Sequence, residues 1–88
     1  MYMMPSLMRI GSRTYTFPVD LNHEDDGTWS AVFPDISGCV TWGGTREEAL
    51  ANAQEAAALH VEGLREHGDS IPTPSLPVKN QDVIFVKV

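Results

Sequence analysis

The side chains able to do covalent or metal chemistry are few, and their spacing does not suit it. Cys39 is the only cysteine, and the histidines are His23, His60 and His67. A zinc site needs such ligands at short fixed intervals, which these four do not show. A lone cysteine excludes a disulfide within the chain, and Cys39 reads as a small buried residue in a strand. His60 lies beside the apolar stripe of a helical stretch, with no nucleophile or carboxylate evidently paired to it. It reads as a packed or boundary histidine rather than a general base. His23-Glu24-Asp25-Asp26 is rich in oxygens but lacks the ligand spacing of a calcium loop, so it reads as a solvated hairpin turn. These residues predict no catalytic residue, no metal and no cofactor.

Recognition chemistry is better represented. Tryptophan is enriched where binding energy concentrates. Trp42, near the end of a strand, fits an interface anchor and a core residue equally, whereas Trp29 reads as core. Asp35 belongs to Pro34-Asp35-Ile36-Ser37-Gly38, a run of turn formers that also offers a surface loop to a partner. Glu47 and Glu48 are placed to stabilise a helix N-terminus by about 1 kcal/mol and to meet basic groups. Asp35, Trp42, Glu47 and Glu48 are the candidate partner contacts.

The elements that must position them follow from periodicity. Tyr15, Phe17, Val19 and Leu21 alternate with Thr16, Pro18 and Asp20, the period of a half-buried strand. Pro18 cannot donate to a ladder, which predicts an edge strand or a bulge. Asp26-Gly27 signals a hairpin, and Trp29, Ala31 and Phe33 alternate in a second strand. A third, Cys39–Trp42, ends at Gly43-Gly44, so three strands form an antiparallel meander. Thr45-Arg46-Glu47-Glu48 is a capping box. Leu50, Ala53, Ala57, Val61 and Leu64 form the apolar stripe of the helix it opens, with Gly68 its stop. After a proline-rich connector, Ser70–Pro77, the last strand is apolar on both phases except at Lys87. That pattern predicts a central strand or one that meets a second subunit. Val83, Ile84, Phe85 and Val86 are therefore the candidate oligomer interface of a homodimer or homotetramer. The fold class is α+β, with order β-β-β-α-β: a small, mainly antiparallel sheet with one helix across it.

The 88 residues are enough for one domain, read as a leader over residues 1–13 and a domain over 14–88. Twelve acidic against six basic side chains give a net charge of −6. That sign opposes direct nucleic-acid binding and suits a basic protein partner, although it also simply favours solubility. No stretch reaches the roughly 20 apolar residues of a membrane span, and the start lacks a basic region before an apolar run. A cytoplasmic protein is expected.

Phe33-Pro34-Asp35-Ile36, Gly38-Cys39, Gly43-Gly44-Thr45 and Glu47-Glu48-Ala49, followed after the helix by Ile71-Pro72-Thr73-Pro74-Ser75, resemble the signature of HicB-type antitoxins. No single element is specific; their order and spacing across about residues 14–88 are. The resemblance implies a truncated RNase H-like fold and dimers or higher oligomers. It also implies an antitoxin role: binding HicA, a small basic mRNA interferase, and covering its catalytic histidine. Gly44 departs from the family, which often has Asp or another polar residue there. Read to Val88, the chain is expected to lack the DNA-binding domain of many HicB proteins. The fold kinship also raises a metal-dependent nuclease, for which Asp20, Asp35 and Glu48 are the available carboxylates. Spacing alone does not bring them together on two metals about 3.5–4 Å apart. A non-enzymatic oligomeric scaffold or ligand carrier is the third reading.

Overall fold

The computed structural model describes residues 14–87; the expected leader over residues 1–13 lies outside them. The elements are β1 (Thr14–His23), β2 (Trp29–Val32), β3 (Val40–Gly43), α1 (Arg46–Glu66) and β4 (Asp82–Lys87). The four strands form one antiparallel sheet in the order β3-β2-β1-β4, and α1 packs across one face. This is the element order and class that the sequence predicts.

The β1–β2 connection is a three-residue loop. The Gly27 amide donates to the Glu24 carbonyl and the Glu24 amide to the Thr28 carbonyl, with Gly27 at φ 91°. A type I turn closed by a left-handed residue matches the twist of the strands it joins. Alternation then sorts the side chains. Tyr15, Phe17, Val19, Leu21, Ala31, Thr41, Ile84 and Val86 share the helix-covered face by register. Thr16, Pro18, Asp20, Ser30, Val32, Val40, Trp42, Val83 and Phe85 share the other. The core holds Phe17, Val19, Ala31, Phe33, Ile36, Cys39, Ala53, Ala57, Val61, Ile84 and Val86. Each fully buried large apolar side chain contributes about 1.5–3 kcal/mol.

Helix α1 begins and ends as its sequence dictates. The Thr45 hydroxyl accepts from the Glu48 amide at 3.0 Å. The Glu48 carboxylate reaches back to the Gly44 amide, one residue before the cap. At the far end His67 is the cap, Gly68 donates to the Arg65 carbonyl and Asp69 to that of Leu64. This paired closure needs a left-handed residue, and Gly68 supplies it at φ 77°. The fully buried line is Ala49, Ala53, Ala57 and Val61, so at the first turn it passes through Ala49 rather than Leu50, which is half-buried beside it. The cause is Gly43, now the last residue of β3. A Cβ there would lie 2.8 Å from both the Ala49 Cα and the Glu48 carbonyl carbon. The helix start therefore rests directly on the strand backbone.

Two expectations about the sheet are corrected. Pro18 does not mark an edge: β1 lies between β2 and β4. Phe85 turns its N–H and C=O away from β1 toward Gln54. By alternation the Pro18–Val83 pair is not hydrogen-bonded, and the proline nitrogen faces the β2 side. There pairing begins only at Asp20, so no ladder bond is lost. Pro18 is also fully buried although it lies on the polar phase. Second, β4 is not central but an edge strand. Ile84 and Val86 fill the chain's own core, Val83 is half-buried, and Phe85 is exposed.

Candidate functional site

The uncovered face of β2 and β3, together with the β1–β2 loop, encloses a groove of about 830 Å³. It is lined by Glu24, Asp25, Asp26, Thr28, Ser30, Val32, Val40, Trp42 and Gly43. The floor follows from register: Ser30 lies opposite Trp42, and Val32 opposite Val40, all on one phase. Trp42 remains 58% exposed and Val40 40%. The wall is the hairpin loop, whose three carboxylates stand beside the apolar floor without any Lys or Arg among the described residues of the lining.

Several of these groups are held in place by the chain itself. The Ser30 hydroxyl, buried beneath the groove, donates to Glu24 Oε2 at 2.6 Å. Asp26 Oδ1 accepts from the Thr28 hydroxyl at 2.6 Å and from the Thr28 amide at 3.0 Å. The hydroxyl bond first, and then the amide bond, hold the Asp26 carboxyl below the usual carboxylate range. Asn52 of α1 donates to the Trp42 carbonyl at 2.7 Å, tying the outer backbone of β3 to the helix. The result is a fixed concave surface that combines an aromatic and aliphatic floor with a negative rim. Chemically it suits an apolar side chain flanked by cations.

Of the four candidate contacts, only Trp42 lines this groove. Asp35 is engaged elsewhere: its carboxylate accepts from the Ser75 amide and the Ser75 hydroxyl, both at 2.7 Å. It thereby clamps the proline-rich connector to the turn before β3. Glu48 caps α1 through Gly44, and Glu47 is exposed on the first turn. The groove's carboxylates, Glu24, Asp25 and Asp26, belong to the segment that the sequence reads only as a solvated turn. The available signal was parity. Glu24, Ser30 and Trp42 fall on one phase once the three-residue loop fixes the register, but the sequence does not announce that loop length.

The other chemistry-bearing residues are dispersed. Trp29 is half-buried rather than core, on the opposite phase from the groove, and stacks on His23 with ring centroids 4.5 Å apart. His60 is exposed, not packed. Cys39 is buried, and that burial pushes its thiol up, away from thiolate chemistry. The carboxylates weighed for a nuclease have separate partners: Asp20 accepts from Gln81, Asp35 from Ser75 and Glu48 from Gly44. Among the described residues no three His, Cys, Asp or Glu side chains are grouped to hold a metal ion. Nor is any helix there long and apolar enough to cross a membrane.

Known proteins share this architecture and sequence. The sequence model of a family described as HicB_like antitoxin of bacterial toxin-antitoxin system matches residues 17–82. Antitoxin HicB 2 of Photorhabdus laumondii is 44% identical over 64 residues, which cover 73% of this chain and 45% of that protein. The chain thus spans less than half the length of that relative. A UPF0150 protein of Synechocystis is 36% identical over 70 residues, 80% of this chain and 89% of that one. The crystal structure of the N-terminal domain of the Burkholderia pseudomallei antitoxin HicB superposes with a TM-score of 0.68 at 28% identity, covering 83% of this chain and 96% of that domain. A chain of a HicA3 and HicB3 toxin-antitoxin complex does so at 0.61 and 29%, covering 81% and 94%. By sequence and by fold, the chain belongs to the HicB-like antitoxin family of bacterial toxin–antitoxin systems.

Proposed function

We propose that this chain neutralises a toxin: it binds a small basic HicA-type mRNA interferase in the cytoplasm and covers its catalytic histidine. The observation that carries this reading is the likeness of the whole described fold to a chain of a HicA3 and HicB3 toxin-antitoxin complex, within the family matched over residues 17–82. The net charge of −6 supports a basic partner, because opposite net charge speeds encounter. The role is regulatory rather than catalytic, a reading supported by the separate partners of the carboxylates weighed for a nuclease: Gln81 for Asp20, Ser75 for Asp35 and Gly44 for Glu48.

The protein works as a homodimer or homotetramer. With Ile84 and Val86 used in the core, Val83 and Phe85 are the part of β4 left to meet a second copy. The test is a titration of the full chain into the HicA-type toxin encoded beside it, read by isothermal calorimetry and by RNA cleavage. A stoichiometric complex that abolishes cleavage is the expected result. Undiminished cleavage with no complex at micromolar concentration overturns the reading.

A further inference from the structure

We infer that the groove between the β1–β2 loop and β3 is a docking surface for a basic polypeptide segment. That segment seats an apolar side chain on Val32, Val40 and Trp42 and directs Lys or Arg at Glu24, Asp25 and Asp26. Resting on the antitoxin reading, the segment belongs to the toxin.

The occupant follows from the lining. Trp42 is 58% exposed on a sheet face that no helix among the described residues covers, and Val40 beside it enlarges the apolar patch. Among the described residues the adjoining rim carries three carboxylates and no Lys or Arg, so a partner that covers the patch must bring cations or leave those charges desolvated and unpaired. A two-fold contact between grooves of two copies is disfavoured locally, because it would set the carboxylates of Glu24, Asp25 and Asp26 on one copy against the same three on the other. Pre-organisation favours a specific site. Glu24 is held by Ser30, Asp26 by Thr28 and the Trp42 carbonyl by Asn52, so binding has little left to order on this side. Asp25 lies between the two tethered carboxylates, on the exposed loop.

The experiment uses the full chain, two groove variants and one control, with a thermal melt of each to verify folding. Trp42→Ala removes the anchor and Asp25→Lys reverses a rim charge. Leu59→Ala removes an equally exposed apolar side chain on α1, across the sheet from the groove. Against the neighbouring HicA-type toxin, Trp42→Ala is expected to weaken Kd by about 30-fold or more, the scale of a hot spot. Asp25→Lys should slow association about tenfold at low salt and far less at high salt, and Leu59→Ala should stay within about twofold.

In parallel, a short peptide alternating Lys and Leu is titrated while the indole N–H signals are followed by NMR. The Trp42 signal is expected to move and the Trp29 signal to stay. If the toxin binds both groove variants as it binds the wild type, the groove inference falls and the antitoxin reading stands. If the peptide shifts Trp42 while no toxin binds, the groove keeps its basic-segment chemistry and the antitoxin reading falls. If neither ligand acts on Trp42, or if Trp42→Ala dissociates a homo-oligomer, the inference is overturned.

Discussion

The two faces of the sheet solve opposite problems. Where α1 meets β3 on the covered face the contact is made by small residues, with Gly43 on the strand and Ala49, Ala53 and Ala57 on the helix, so that the two backbones nearly touch at Gly43. On the open face the chain leaves two of its largest, Trp42 and Phe85, each 58% exposed. Small residues at the helix–strand contact, and large ones at Trp42 and Phe85 where no described residue covers them, separate stability from recognition. The covered face should resist any added atom, and the open face should tolerate loss without unfolding.

The sharpest way to break that comparison is Gly43→Ala. The new methyl would meet backbone rather than a movable side chain, so α1 must lift from β3. A loss of about 3 kcal/mol is expected, the upper end of overpacking costs, read as a fall in the urea midpoint at constant slope. A melt within about 1 kcal/mol of wild type would mean that the helix is not seated as described. Ala53→Leu tests the middle of the same contact and should destabilise by about 2 kcal/mol, because three further carbons must find room where Ala53 is fully buried. Thr45→Ala leaves the packing alone and removes the hydroxyl that accepts from the Glu48 amide. Its expected cost is about 1 kcal/mol, and rescue by Ser or Asp would confirm that the oxygen is what matters.

Local chemistry was legible in the sequence and long-range pairing was not. The capping box at Thr45, the Gly68 stop, the hairpin at Asp26-Gly27 and the phase of Phe17, Val19 and Ala31 are settled by neighbours within a few residues, and the structure keeps them. Strand order is different. Val83–Val86 is apolar on both phases whether the strand is central, lies at an edge beneath a helix, or meets another subunit, so the pattern carries no information on its place. Its true neighbour, β1, lies about seventy residues earlier. Asp35 reads as a turn former, and nothing in its vicinity reveals that it clamps Ser75, forty positions away. The acidic loop reads as solvated until the register places Glu24 over Ser30 and beside Trp42. The candidate site was thus half visible: the anchor was named, and the rim was not.

The same edge-strand geometry yields a smaller prediction. Gln54 gives its carboxamide to both backbone groups that Phe85 turns outward, in the manner of a neighbouring strand. An open sheet edge invites pairing with another chain, and this side chain occupies the middle of that edge. Gln54→Ala should cost about 1 kcal/mol or less, because the freed groups are exposed and water replaces the partner. It should also raise self-association, measured by sedimentation across a concentration series. An unchanged distribution would mean that any assembly uses side chains of the open face rather than the backbone edge of β4.

Smallest of all should be the effect of Trp42→Ala on stability. The side chain is mostly in water and no core residue leans on it; its backbone carbonyl, which Asn52 holds, survives the substitution. Surface changes of this kind fall within about 0.5 kcal/mol. Removing the exposed indole should therefore shift the urea midpoint very little while removing the anchor of the groove. A loss approaching that of Gly43→Ala would mean that Trp42 is part of the core after all, and the division of labour between the two faces would fail at the residue that best displays it.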